Sequence, residues 1–98
     1  MILELVKVAG EFCTSRKSPA LIDLKERTDA CLSSDQTLEV DLLGVKVLTP
    51  SFIDEWLPDL IIKYGEDKFH RLVVFNPPLE GFLKEQITRG VALRRMSQ

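Results

Sequence analysis

Histidine and cysteine are scarce in this sequence, and that scarcity limits the chemistry open to it. The 98 residues include one histidine, His70, and two cysteines, Cys13 and Cys31, without a Cys-x-x-Cys pair. A structural zinc site needs more ligands of this kind, so we expect no metal and no cofactor. The two cysteines could pair with each other, but two isolated thiols are more typical of a reducing compartment, so we expect both to be free.

Long apolar runs and an excess of positive charge are also missing. No run is long enough to span a bilayer, and the apolar N-terminal residues contain Glu4 and lack a basic leader, so neither a membrane span nor a secretory signal is predicted. The net charge of −2 gives no general attraction to nucleic acid. We therefore expect a cytoplasmic protein with one domain over residues 1–98 and a frayed tail at residues 94–98.

Three stretches show the patterns of β-strands, and a fourth is too short to decide. Residues 37–43 alternate between apolar and polar side chains, which predicts a strand with one buried face. Residues 2–8 are also interpreted as a strand. Residues 71–75 form a short apolar run of the kind found in a strand that is buried on both faces. Residues 11–14 are either a second short strand or part of a loop.

Proline after a polar residue marks the expected start of each of three helices. Residues 18–19, 49–50 and 76–78 all place a capping side chain before a proline, which is pre-set for the first helical turn. An apolar stripe then predicts a central helix that continues to Gly65. Pro58 lies within it, on the side away from the stripe, so we expect one helix bent convexly toward solvent rather than two separate helices.

The alternation of strands and helices predicts an α/β domain. We expect a small, mostly parallel sheet of four strands, or three if residues 11–14 are a loop, with three crossover helices packed on it. In such a sheet the loops after the carboxyl ends of the strands form a common crevice. Those loops are residues 12–18, 44–51 and 76–78, and the polar stretch 66–68 is predicted to be an exposed turn.

The central loop and the residues around it resemble a known family. The residues that carry the resemblance are Ser15, Arg16, Asp41, Gly44, Val45, Thr49, Pro50, Ser51, Phe52, Asp54 and Glu55. They are similar to the motif of a STAS-like family of unknown function and, more distantly, to the STAS domains of bacterial anti-sigma-factor antagonists. The resemblance covers roughly residues 12–94 and implies a STAS-like fold.

The resemblance also implies a switch at Ser51. In the antagonist STAS domains, a serine at the start of the second helix is phosphorylated by a partner kinase that is also the anti-sigma factor, and that serine matches Ser51. Those proteins typically carry Asp-Ser-Ser-Gly where this chain has residues 49–52, Thr-Pro-Ser-Phe. The residues alone suggest a simpler role, in which Ser51 caps the helix together with Thr49.

We expect a non-enzymatic bacterial regulatory module that binds a protein partner, which by resemblance would be an ATPase-type kinase or another signalling protein. The residues expected to bind a partner or an anion are Ser15, Arg16, Thr49, Ser51, Asp54 and Glu55. Asp41 and Gly44 are expected to support the central loop. Arg16 also has a structural interpretation, in which it forms an ion pair with Asp41, Asp54 or Glu55 and holds its own loop in place.

Two other functions are open to the sequence. The free N–H groups at the starts of the first two helices would suit a small anion or a nucleotide. A small hydrolase would need Ser51, His70 and an acid together, but the sequence has no Gly-x-Ser-x-Gly motif. Because His70 precedes a strand, we expect it at the edge of the sheet opposite the crevice, so the hydrolase is the weakest of the three hypotheses.

Overall fold

Short strands are interspersed with helices in the computed structural model, which describes residues 1–97. In chain order the elements are β1 (Ile2–Glu4), α1 (Leu5–Ala9), β2 (Phe12–Cys13), α2 (Ala20–Ser33), β3 (Leu38–Asp41), β4 (Val47–Leu48), α3 (Pro50–Trp56), α4 (Pro58–Tyr64), α5 (Glu66–Leu72), β5 (Val73–Asn76) and α6 (Gly81–Met96). The chain is therefore an α/β protein, as the alternation predicts.

The central sheet has three parallel strands in the order β1-β3-β5. Val40 of β3 lies between Leu3 of β1 and Phe75 of β5, and its side chain is fully buried. β2 and β4 form a separate two-stranded parallel sheet. The prediction of a small parallel sheet is thus confirmed for three strands. The segment at residues 11–14 does contain a strand, β2, but it pairs with β4 instead of adding a fourth strand to the main sheet.

The first predicted strand is too long, because its second half is helical. Leu5, Val8 and Ala9 stand at the i, i+3 and i+4 positions of one helical face, and all three pack in or against the core. Gly10 ends α1 with a φ of +84°, a conformation that glycine adopts without strain. The strand predicted for residues 2–8 therefore ends at Glu4.

The central helix is broken rather than bent, and this prediction was wrong. α3 and α4 are separate helices, and Leu57 between them has φ −102° and ψ −42°. Pro58 faces the protein interior instead of solvent, because α6 packs across the junction. The ring of Pro58 lies so near Gly90 that a Cβ placed there would be 2.8 Å from Cγ of the proline.

The segment after Gly65 also differs from its prediction. Glu66 and Asp67 are not an exposed turn but the first residues of α5, where the positive end of the helix dipole favours acidic side chains. α6 begins at Gly81, after the prolines, and continues to Met96. The predicted frayed tail is therefore helical over most of its length, and residue 98 lies outside the described residues.

The core is built around the side chains of α3 and the strands beneath it. Phe52 and Trp56 are fully buried, as their place in the apolar stripe predicts, and Trp56 packs edge-on against Phe75. Cys13 and Cys31 are both buried and both free. Among the described residues, no helix is long and apolar enough to cross a bilayer, and no group of acidic, histidine and cysteine side chains is placed to hold a metal ion.

Candidate functional site

The loop after β2 and the loop after β4 meet at one rim of the molecule. The two strands pair in parallel, so both end on the same side. The N–H of Thr49 then donates to the Cys13 carbonyl at 3.0 Å, and its Oγ1 donates to the Thr14 carbonyl at 3.2 Å. The segments around residues 15 and 50 are therefore neighbours, as parallel pairing predicts.

Thr49 alone caps the start of α3. Its Oγ1 accepts a hydrogen bond from the N–H of Phe52 at 3.3 Å, and Pro50 occupies the first helical position. Ser51 is half-buried, and its hydroxyl has no hydrogen-bond partner within residues 1–97. Ser51 therefore does not cap α3 together with Thr49, which was the simpler of the two roles expected for it. Its hydroxyl remains without a hydrogen bond to the described residues.

Asp54, less than one helical turn after Ser51, accepts hydrogen bonds from three side chains. The donors are Arg16 Nη1 at 2.6 Å, Arg94 Nη1 at 3.0 Å and Gln86 Nε2 at 3.3 Å. Burial alone would raise the pKa of Asp54, but the hydrogen bonds from Arg16 and Arg94 together outweigh it, so the pKa is lowered. The carboxylate is ionised at neutral pH and ties the loop around residue 16 and α6 to α3.

Arg94 also compensates for the hydrogen bond that Pro58 removes. Proline has no N–H, so the carbonyl of Asp54, four residues earlier, loses its helical donor. Arg94 Nη2 donates to that carbonyl at 3.0 Å, and Nε donates to the carboxylate of Asp59 at 2.8 Å. One guanidinium thus binds the carboxylate and the carbonyl of Asp54 together with a second acid, which the single ammonium of a lysine could not do.

Gly90 allows α6 to come close enough for these bonds. A Cβ at this position would lie 2.5 Å from Oδ1 of Asp54 and 2.8 Å from Cγ of Pro58. Both distances are well inside van der Waals contact, so a larger residue must displace one of these groups. Gly90 does not end the helix, and the close approach it permits is to the junction of α3 and α4.

Ser15 and Glu55 lie at the same rim in more exposed positions. Ser15 Oγ accepts a hydrogen bond from the N–H of Lys17 at 3.0 Å, which shapes the turn before α2. Glu55 is bound by Lys25 of α2 at 2.9 Å, and both side chains are partly exposed. An ion pair with this exposure contributes little stability, so Glu55 can exchange Lys25 for another partner at small cost.

Asp41 and Gly44 shape the turn that follows β3. The carboxylate of Asp41 accepts a hydrogen bond from the N–H of Leu43 at 2.9 Å, as aspartate commonly does in turns. Gly44 has a φ of +89° and lies close to Val6, from which an added Cβ would be 3.4 Å away. Both residues therefore hold the loop before β4 by local backbone geometry.

Four exposed apolar side chains, which we call the apolar rim, lie in β2, in the loop after β3, in β4 and at the start of α6. They are Phe12, Leu43, Val47 and Phe82. Phe12 is 61% exposed and stands opposite Val47 in the β2–β4 pair, and Val47 lies two residues before Thr49. Phe82 lines a groove of about 190 Å³ whose other lining residues include Leu42, Val45 and Leu48. The exposed pair of Phe12 and Val47 therefore lies close to the start of α3.

Comparison with models of known families gives one match. Residues 22–76, more than half of the chain, match the family described as a STAS-like domain of unknown function. The chain belongs to this STAS-like family. The resemblance drawn from the central motif is thereby confirmed. No curated protein and no solved structure shows a significant match to the chain.

The STAS-like match contains Asp54 but neither of the arginines that bind it. It begins within α2 and ends with β5, so Arg16 precedes it and Arg94 follows it. The three-way contact at Asp54 is therefore a feature of this chain's structure, and the family model does not bear on it.

Arg94 is the residue of this STAS-like site that sequence patterns do not reveal. They predict a frayed tail at this position, and the helix dipole alone accounts for basic residues near the C-terminus. One local signal is present, since Arg94 stands four residues after Gly90 and its Nη1 donates to the Gly90 carbonyl at 3.1 Å. Its pairing with Asp54, however, spans 40 residues of sequence and leaves no periodic pattern.

The structure does not bring Ser51 and His70 together. Ser51 lies at the rim where β4 ends, whereas His70 is in α5, which leads into the amino end of β5. His70 is exposed, and its ring packs edge-on against Phe69 at 5.3 Å between centroids. This geometry gives no support to a hydrolase built from these two residues.

Proposed function

We propose that this STAS-like domain is a non-enzymatic regulatory module of bacterial cytoplasmic signalling that binds a protein partner through the surface around the start of α3. That surface consists of Ser15, Thr49, Ser51, Glu55 and the apolar rim. The observation that carries the proposal is the apolar rim itself, because exposed apolar side chains such as the paired Phe12 and Val47 near Thr49 are what a partner can bury. Family membership supports a STAS-like domain and names no partner.

The contacts of Arg16 and Asp54 hold the backbone of this surface in place. Asp54 is almost fully buried and is bound to α6 by Arg94, so it is not available to a partner. Arg16 is half-exposed and fixes the loop that carries Ser15. A surface held in one conformation loses less entropy when it binds, which favours affinity.

We further propose that Ser51 is the switch of this interaction. Its hydroxyl is uncommitted, and it sits among residues that a partner would contact. A phosphate there would add roughly two negative charges less than two turns from Asp54 and Glu55. The surface would then repel an acidic partner and gain a group too polar to bury beside the apolar rim. By resemblance to antagonist STAS domains, the partner would be an ATPase-type kinase or another signalling protein.

The first experiment identifies the partner and tests the surface. A photo-crosslinking amino acid placed at Val47 in the native host should capture a protein that the same group at Leu93, an exposed apolar position late in α6, does not. With that partner purified, Phe12→Ala should weaken binding by at least about fivefold, while Leu93→Ala should change it little. Equal effects of the two substitutions would refute the proposed surface.

The second experiment tests the switch with the same purified partner. Ser51→Asp should weaken binding by roughly tenfold or more, whereas Ser51→Ala should leave the dissociation constant nearly unchanged. Urea denaturation of both variants establishes that the fold is intact. If Ser51→Asp binds as tightly as the parent and the partner never phosphorylates Ser51 in the presence of ATP, the switch is excluded while the binding surface stands.

A further inference from the structure

A second groove, of about 440 Å³, lies between α5, β5 and α6. Its floor is made of core side chains that include Phe69, Leu79 and Ile87, each of them buried. None of the residues of the proposed partner surface lines it. Cavities of this size, apolar with a few polar groups, are typical of sites for small molecules.

Lys84 lines this groove at a position of its helix where a positive charge is unfavourable. It is the fourth residue of α6, where the helix dipole disfavours positive charge. Within residues 1–97 it forms no ion pair, and Thr88 lies one turn further along the same helix and also lines the groove. The acid in the lining, Glu66, lies 3.7 Å from Arg95. Lys84 therefore offers an uncompensated positive charge beside an apolar floor.

The free edge of β5 forms one wall of the groove. β5 pairs with β3 on one side, and no described strand pairs with it on the other. Val74 and Phe75 of this strand line the groove. The strand has four residues and ends at Asn76, directly before Pro77, so it is too short to add a peptide strand with a useful ladder of hydrogen bonds. A compact ligand fits this wall better than an extended peptide does.

We propose that this groove binds a small amphipathic carboxylate, such as a medium-chain fatty acid or an aryl-substituted carboxylic acid. The apolar body of the ligand lies on the floor formed by Phe69, Leu79 and Ile87. Its carboxylate accepts hydrogen bonds from the ammonium of Lys84, since the hydroxyl of Thr88 already donates to the Lys84 carbonyl at 3.3 Å. Charge complementarity selects the anion, and the apolar floor of the groove selects the body of the ligand.

An NMR titration with three ligands that share a ten-carbon chain tests the proposal. Decanoate should shift the backbone amides of residues around Phe69, Leu79 and Ile87, and decanol, which lacks the charge, should bind roughly tenfold more weakly. Decyltrimethylammonium should bind more weakly still. Equal binding of the three ligands, shifts confined to another surface, or no shifts at millimolar decanoate would each overturn it.

Two matched lysine variants locate the anion. Lys84→Met should reduce decanoate affinity by roughly tenfold. Lys17→Met removes a second exposed lysine that forms no ion pair within the described residues, but it lies outside the groove and should leave the affinity unchanged. If both variants lose affinity equally, the effect is one of net charge and the site is wrong. Groove amides that shift with protein concentration alone would instead assign the groove to a second copy of the chain.

Discussion

Thr28 and Trp56 carry a hydrogen bond into the middle of the core. The indole N–H of Trp56 donates to Oγ1 of Thr28 at 3.1 Å, and that hydroxyl donates to the carbonyl of Leu24 at 2.7 Å. Thr28 and Trp56 are both completely buried, so water cannot replace either partner. The hydroxyl of Thr28 in the interior of α2 therefore has a clear role, because it accepts the hydrogen bond of the indole N–H from α3.

Replacing that hydroxyl tests the bond. Thr28→Val keeps the shape of the side chain but leaves the indole N–H unpaired, so we expect the free energy of unfolding to fall by about 1–3 kcal/mol. Urea denaturation measures it. In a Trp56→Phe background, which has no N–H to satisfy, the same substitution should cost clearly less. Identical costs in the two backgrounds would mean that the bond contributes nothing.

Asp54 should make stability depend on pH in the acid range. Its pKa is lower in the folded state, so the folded protein binds the proton more weakly than the unfolded chain does. The stability from its ion pairs is complete above the unfolded pKa of about 4 and is lost as the pH falls through the lower folded value. Asp54→Asn should therefore cost about 1–3 kcal/mol at neutral pH and progressively less in acid.

Urea unfolding at several pH values provides the measurement for Asp54→Asn. A matched control is Asp23→Asn, which breaks an exposed ion pair between Asp23 and Arg27 of α2. That pair should be worth no more than about 0.5 kcal/mol. A deficit for Asp54→Asn that stays constant down to strong acid would contradict the expected direction of the pH dependence.

At the scale of elements, the packing of α6 on the α3–α4 junction depends on the absence of a side chain at Gly90. Alanine is the better helix former by about 1 kcal/mol, yet its Cβ would overlap the ring of Pro58 and the carboxylate of Asp54. We expect Gly90→Ala to destabilise the protein by about 1–3 kcal/mol, because the overlap outweighs the gain in helix propensity.

Gly81 in the same helix offers the control for this prediction. A Cβ there would meet nothing within 4 Å. Gly81→Ala should therefore be neutral or slightly stabilising, by less than about 1 kcal/mol. Thermal or urea denaturation of the two variants compares them directly. If Gly90→Ala were as harmless as Gly81→Ala, the close approach of α6 would have to be wrong.

Sequence patterns predict the elements whose periodicity extends over many residues. The strand at residues 37–43 and the helix after residue 19 are recognisable because several turns or alternations agree. α1 is missed since five residues cannot separate a helical period from an alternating one. α5 is missed because Glu66 and Asp67, which suit a first helical turn, equally suit an exposed turn. The contacts of Arg94 cannot be predicted from sequence patterns, because they join segments that are far apart in the sequence.

At the scale of the whole molecule, the reactivity of the two cysteines measures how often the whole protein unfolds. Cys13 and Cys31 are each at most 2% exposed, and burial raises the pKa of the Cys13 thiol. Since the thiolate is the reactive form, both residues should react slowly with a disulfide reagent in the native state. We expect labelling to accelerate steeply across the urea unfolding transition.

Single-cysteine variants separate the two thiols in this experiment. Cys31→Ser leaves Cys13, and Cys13→Ser leaves Cys31, provided that urea denaturation shows each variant to be folded. Both thiols should follow the unfolding equilibrium of their own variant. Rapid native labelling of either one would show that its surroundings open locally, and the compact packing described for that segment would then be wrong.

The distribution of the groups around Asp54 has a consequence for synthesis on the ribosome. Arg16 is made 38 residues before Asp54, and Arg94 is made 40 residues after it. The carbonyl of Asp54, whose helical donor is removed by Pro58, therefore gains the hydrogen bond from Arg94 only after the final turn of α6 has been made. A nascent chain stalled before that turn should form its parallel sheet and leave the surface beside Ser51 loosely ordered, so that the surface becomes able to bind only after Arg94 has been made.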